Sequence, residues 1–299
     1  MTGDAAAVAA EKVAGVAGEL AARVKRYDAV RDPRAVFAYT YFRLTSDLAA
    51  SLRTNDLSFR APEWVADLSV SLAAAYFTAM DAIDTWLGPV PDARPGGEVL
   101  SADLPETVPK PWRDVYAAST VRHSYVLEEV LFSMMAHMSY DLPLALRALA
   151  ARGDVHHRVA DFHRMNDLLA SSIDVVQDEI AARYCRRLHS LDRLFIQDDE
   201  LFTSYGIRVA RGLAWFNCDR LMDPDASGEA LGSISRSTAA FIAEFRSPDD
   251  WRRRLSFQVL RALVPSRRQW PPPGTPVESG RRPSSRPGGP AEPDASHRA

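Results

Sequence analysis

The chain has 299 residues, 46% of them hydrophobic and 25% charged, with a formal net charge of −3. This is globular composition with material for a sizeable core, and the charge balance excludes the basic face that nucleic-acid binders carry. The two cysteines, Cys185 and Cys218, have neither metal-ligand nor disulfide-framework spacing, and no uncharged apolar run reaches the ~18 residues of a membrane span, so a soluble cytoplasmic protein is expected.

Met1 to Glu19 is alanine-rich and lacks the basic and apolar regions of a signal peptide. Residues 1–30 are expected to form a helix whose small apolar positions (Val8, Val13, Val16, Leu20, Val24) bury little and pack loosely. Asp32-Pro33 opens a second helix with Val36, Phe37, Tyr41, Leu44 and Leu48 at helical spacing. Pro62 opens a third, running to Leu87, with Val65, Leu68, Leu72, Tyr76, Met80 and Ile83 as its core stripe. Gly88 to Pro111 is a long proline- and glycine-rich connection, of the kind placed over a pocket mouth.

Trp112 begins the helical region that continues to about Arg152. The pattern then predicts helices over about His157–Tyr184, Glu200–Arg220, Ser227–Phe245 and Pro248–Leu263. No strand alternation and no internal repeat is present. The expected fold is an all-α, single-domain multi-helix bundle over 31–265. From Ser266 the composition turns to proline, glycine, serine and arginine, which predicts a disordered tail over 266–299.

The stretch Leu131 to Pro143 is the one on which function hangs. At about 100° per residue, Val126, Leu127, Val130, Leu131, Met134 and Met138 share one side of the helix, and His123, His137 and Asp141 fall within that arc. Glu129, Ser133, Tyr140 and Arg147 fall opposite. A carboxylate in an apolar arc needs a partner, and His137, one turn earlier, is the nearest. Pro143 deletes a helical hydrogen bond and crowds the Ser139 carbonyl, so a kink or break is expected beside this pair. Asn166 on the following helix sits at the edge of its apolar arc, a third inward polar group, whereas His163, Asp167 and Asp178 face away. His-x-x-x-Asp spacing also suits two ligands of a divalent metal, and the repeat of that spacing at His157 and Asp161 makes Asp161 a third candidate ligand. No particular cofactor follows.

Two segments, Met134 to Leu146 and Asp161 to Leu169, resemble a bacterial family of unknown function marked by an N-A-H-I-N-Y-D-L-P-L-A-L helix and a following D-[FY]-x-R-V-N-x-[IL]-L helix. Phe37-Ala38 with Tyr41 and Thr45, Tyr76-Phe77 with Ala79, and Arg211 to Asn217 are similar to further parts of its pattern. The likeness spans roughly 37–265. It implies that His137, Asp141, Asp161, Asn166, Arg211 and Trp215 belong to the family pattern, and it carries no activity. Met135 and Ser139 stand where the family has asparagine, which makes the surroundings of His137 more apolar.

Three functions compete. In the first, a small-molecule enzyme acts on a largely apolar substrate, with His137 as general acid or base oriented by Asp141, and His123, Met135, Ser139, Asn166, Arg211 and Trp215 around the substrate. In the second, Asp81-x-x-Asp84 and the Asn166…Asp174 segment form the two magnesium motifs of an isoprenoid diphosphate cyclase, which requires Asp81, Asp84, Asn166 and Asp174 to converge. In the third, the chain is a helical binding or scaffold protein whose polar cluster is structural. A small-molecule ligand is the expected partner; oligomeric state does not follow from the sequence.

Overall fold

A computed structural model describes residues 2–88, 97–121, 126–153, 155–185, 204–246, 249–252, 254–255 and 269–278. Among these residues the regular structure is helical, without strands: α1 (Thr2–Ala29), α2 (Arg34–Thr54), α3 (Pro62–Leu87), α4 (Lys110–Thr120), α5 (Val126–Ala136), α6 (Leu142–Ala150), α7 (Val159–Tyr184), α8 (Ser204–Met222) and α9 (Ser227–Arg246). No described helix is long and apolar enough to cross a membrane.

Local chemistry sets the helix ends. The Asp32 carboxylate accepts the Arg34 backbone N–H at 2.9 Å, satisfying a donor at the start of α2. That helix stops at Asn55, whose φ of 52° lies in the left-handed region asparagine tolerates. Pro62 occupies the first turn of α3, where its missing N–H costs nothing, and Gly88 ends that helix with φ 75°.

Helix α1 lies along α2 and α3. Its expected loose packing is corrected: Ala9, Ala10, Val13, Leu20 and Val24 are all enclosed. Small side chains let the α1 backbone approach its neighbours closely, so little apolar area per residue still gives a filled interface. Two clusters make up most of the core. One joins Val16–Tyr27 of α1, the first half of α2, the second half of α3, α4, α5 and the end of α7. The other joins Ala9–Val13, Leu48–Leu52, Val65–Leu72, α6, the start of α7 and Ala214 and Cys218 of α8.

The segment leading into α6 bridges the clusters. It neither breaks nor stops at Pro143: residues His137–Asp141 form a single π-turn, with the Leu142 N–H donating to the His137 carbonyl. Pro143 offers no N–H to the turn before it and its ring crowds that turn, and a widened turn absorbs both effects while the helix continues. The angular reading of α5 is corrected in one respect: Glu129 and Ser133 are buried, not exposed, because α2, α4 and α9 all pack on this helix.

The described half of the long connection also departs from expectation. Val99, Leu104 and Val108 are buried in the first cluster, and the Val99 N–H donates to Thr120 Oγ1 at 3.0 Å, so this half packs into the core rather than covering a pocket. Within the predicted tail, residues 269–278 are described and lie against the helical body. There the Gln269 N–H donates to the Tyr184 carbonyl at 2.6 Å, and Trp270 packs edge-on against Tyr184, with ring centres 6.0 Å apart. Val277 also packs on the first cluster, and Arg183 donates to the Pro276 carbonyl at 3.4 Å. The rest of 266–299, and all but a few residues of the predicted Pro248–Leu263 helix, lie outside the described residues.

Ala10→Leu tests the close packing of α1. Overfilling a tight interface is expected to cost about 1–3 kcal/mol in urea unfolding, whereas a loosely packed helix would accept the larger side chain without loss.

Candidate functional site

The π-turn places His137 and Asp141 inward, at 5% and 2% exposure. His137 Nδ1 lies 3.1 Å from Asp141 Oδ2. In the tautomer that carries its proton on Nδ1, the ring donates to Asp141 and Nε2 is the acceptor nitrogen. Trp112 of α4 donates its indole N–H to both Asp141 oxygens, at 3.1 and 3.0 Å. Burial pushes the Asp141 pKa above the ordinary carboxylate range, and the bonds from His137 and Trp112 oppose that rise.

Four aromatic rings box the imidazole: Tyr41 at 4.5 Å between ring centres, Phe37 at 5.6 Å, Tyr76 at 6.1 Å and Trp112 at 6.4 Å. Among the described residues, His137 Nε2 and the hydroxyls of Tyr41 and Tyr76 have no hydrogen-bond partner, although all three atoms are buried. Burial raises the pKa of both phenols, so they stay protonated as donors.

Asn166 and Arg211 are brought together at 2% and 3% exposure. The Arg211 Nε–H donates to Asn166 Oδ1, and the guanidinium lies over the Phe162 ring at 4.6 Å. Trp215 sits on that same ring, 4.8 Å between centres, and so supports Phe162. Burial pushes the Arg211 pKa down to about 10, with Tyr41 opposing, so the side chain is still charged at neutral pH. Tyr41 links the groups: the Asp141 charge opposes ionisation of its phenol and the Arg211 charge favours it.

Two small cavities flank this cluster. The first, about 40 Å³, lies between α2, α5, α7 and α8 and is lined by apolar side chains including Met134, Met135, Met138 and Ile173, with Thr40 and Gln177 as its polar members. The second, about 20 Å³, is lined by Phe37, Tyr76 and Trp112 from the aromatic box together with Arg34, Glu129 and Ser133.

Other expected site residues fall elsewhere. His123 lies outside the described residues, and Ser139, half-buried in the π-turn, lines neither cavity. Asp161 does not join His137 and Asp141. Its carboxylate accepts the backbone N–H groups of Arg60 and Ala61, at 2.9 and 2.8 Å, ahead of α3, and pairs with Arg164 at 2.8 Å. No cluster of three or more metal-ligating residues occurs among the described residues.

The second pair of acidic motifs does not converge either. Asp81 pairs with Arg23 at 2.6 Å, and Asp84 pairs with Arg26 and Arg34, each at 2.7 Å, while Asp174 is exposed on α7. These carboxylates hold α3 to α1 and α2. Neither cavity beside the His137 cluster is lined by Asp81, Asp84 or Asn166.

Of the rings around His137, Tyr41 and Tyr76 read in the sequence as helix-stripe and family-pattern positions, and Trp112 only as a helix start. A signal existed for Trp112: a buried indole N–H requires an acceptor, and Asp141 was a buried acceptor lacking a second donor.

Asp141→Asn tests the electrostatics. The folded-state pKa of Asp141 is raised, so the folded chain holds more protons than the unfolded chain just above about pH 4. Its stability therefore falls as pH rises through that window. Urea unfolding across pH is expected to show this slope flattened in the variant, whatever the constant loss from its altered hydrogen bonds. Parallel pH profiles would remove Asp141 from this role.

No curated protein and no solved structure matches the chain. Residues 13–93 and 100–247 match the family of unknown function DUF5995, a span that includes His137, Asp141, Asn166, Arg211 and Trp215. The chain belongs to that family.

Proposed function

We propose that this protein is a small-molecule-modifying enzyme in which His137 is the general acid–base and Asp141 its orienting carboxylate, acting on a largely apolar substrate. The observation carrying this reading is the buried Nε2 of His137, without a partner among the described residues, on a ring whose Nδ1 is held by Asp141. A carboxylate behind an imidazole fixes its tautomer and supports the positive charge that forms on proton transfer. Trp112 keeps the carboxylate in place. The aromatic box limits water and favours a substrate body of low polarity. Two buried cysteines in separate core clusters, Cys185 and Cys218, fit a reducing, cytoplasmic setting for this chemistry.

A second reading has its own support. The Trp112–Asp141 bonds tie α4 to the π-turn, which is what a purely structural polar lock does.

His137→Gln separates the two, because the amide keeps volume and polarity but cannot exchange a proton near neutral pH. Incubated with a panel of apolar ketones, esters and alkenes and followed by mass spectrometry, the wild type is expected to transform at least one compound. The variant is expected to be slower by about 10²- to 10⁴-fold with its unfolding midpoint preserved. Equal turnover by both, or no turnover by the wild type, would favour the structural lock. Trp112→Phe, which keeps the ring and removes the donor, is expected to lower turnover less than His137→Gln does.

A further inference from the structure

A third cavity, of about 520 Å³, is bounded by the start of α3, the end of α6 and the turn ahead of α7. That volume is within the roughly 300–1,000 Å³ of small-molecule sites. Arg60, Arg152 and Arg158 line it, one from each of these three segments, and Glu63 and Asp67 are its carboxylates. Lys12 answers Asp67 at 3.1 Å, so three guanidiniums share the cleft with the one remaining carboxylate, Glu63. Among the described residues none of the three arginines forms an ion pair, unlike Arg164, which pairs with Asp161. Asp161 gives the cleft its frame. At 2% exposure, its carboxylate accepts the backbone N–H groups of Arg60 and Ala61, which pins the segment carrying Arg60 to the helix that Arg158 precedes. The same carboxylate satisfies those N–H groups ahead of α3, so the attraction for an anion comes from the guanidiniums and not from a helix end.

We propose that this cleft binds a small polyanion, a polyphosphate or polycarboxylate, through Arg60, Arg152 and Arg158. Like charges gathered around one space repel, and an anion placed among them relieves that repulsion. One exposed ion pair in water is worth little. Guanidiniums, however, offer forked, charge-assisted hydrogen bonds to phosphate and carboxylate oxygens, and several acting on one ligand reinforce each other. Three guanidiniums less the Glu63 carboxylate leave a surplus of two positive charges, which favours a ligand with at least two anionic groups over a monoanion. The volume suits a small molecule. Neither His137 nor Asp141 lines this cleft, so the proposal does not rest on the enzyme reading above.

The test is binding, not turnover. Full-length protein is titrated calorimetrically with tripolyphosphate, citrate and acetate. At least one of the two polyanions is expected to bind saturably, at least about tenfold more tightly than acetate, and more weakly as salt is raised. Whichever polyanion binds more tightly identifies the anionic group as phosphate or carboxylate. Arg60→Ala, Arg152→Ala and Arg158→Ala are each expected to weaken that binding by about tenfold. Their unfolding midpoints are expected to hold, because none of the three side chains is buried. Glu63→Gln removes the repelling carboxylate from an exposed position and is expected to tighten binding by a smaller factor. Arg53→Ala, which removes an exposed charge outside the cleft, is expected to leave it unchanged. Absence of saturable binding by either polyanion, acetate binding as tightly as both, unchanged affinity in the cleft variants, or equal weakening by Arg53→Ala would overturn the proposal.

Discussion

The hydrogen bonds converging on Asp141 are the constraint around which the molecule is assembled. One carboxylate at 2% exposure takes the His137 ring from its own turn and the Trp112 indole from α4. Through those bonds it fixes the junction between the two core clusters, since Ala136 belongs to one and Leu142 to the other. The π-turn is the geometric counterpart. By widening rather than breaking, it carries the chain past Pro143 and leaves both polar side chains directed inward. A regular helix without Pro143 would need no such turn, and a broken one would not hold His137 and Asp141 within 3.1 Å.

This arrangement is expensive. Burial opposes ionisation of Asp141 and lowers the pKa of Arg211, and His137, Tyr41, Tyr76 and Arg211 all carry buried polar atoms without partners among the described residues. Elsewhere the chain resolves the same problem. Arg43 meets Glu179, Asp161 meets the backbone ahead of α3, and the Asp28, Arg183 and Tyr184 groups satisfy one another. Buried atoms of Arg23, Tyr27, Arg43 and Gln177 also lack partners among the described residues; what sets this place apart is that several such atoms gather around one imidazole, where a ligand would relieve them.

Much of this was readable from the residues. The helices follow from apolar periodicity, the boundaries of α3 from Pro62 and Gly88, and the inward direction of His137, Asp141 and Asn166 from angle alone. What could not be read was pairing over long sequence distance. Nothing local to Asp161 announces that it will serve residues 100 positions away, and nothing local to Asp81 or Asp84 announces arginines from α1 and α2. Burial on all sides of α5 escaped the angular count for the same reason, because a single helix reports its most apolar face and not how many neighbours surround it. Alanine-rich α1 misled in the opposite direction: low side-chain volume reads as weak burial, whereas in the fold it permits close backbone approach.

Asp81, Asp84 and Asp141 show how chemically identical groups acquire different roles. All three are carboxylates on helices with an acidic or imidazole neighbour three or four residues away. The first two are met by guanidinium groups, and their charge is consumed in holding helices together. Asp141 is met by an imidazole and an indole, neither of which brings a permanent charge, so its negative charge remains available to support a proton on His137. Arg211 is the complement: a permanent charge met by an amide and an aromatic face. The two charges act in opposite directions on the ionisation of the Tyr41 phenol.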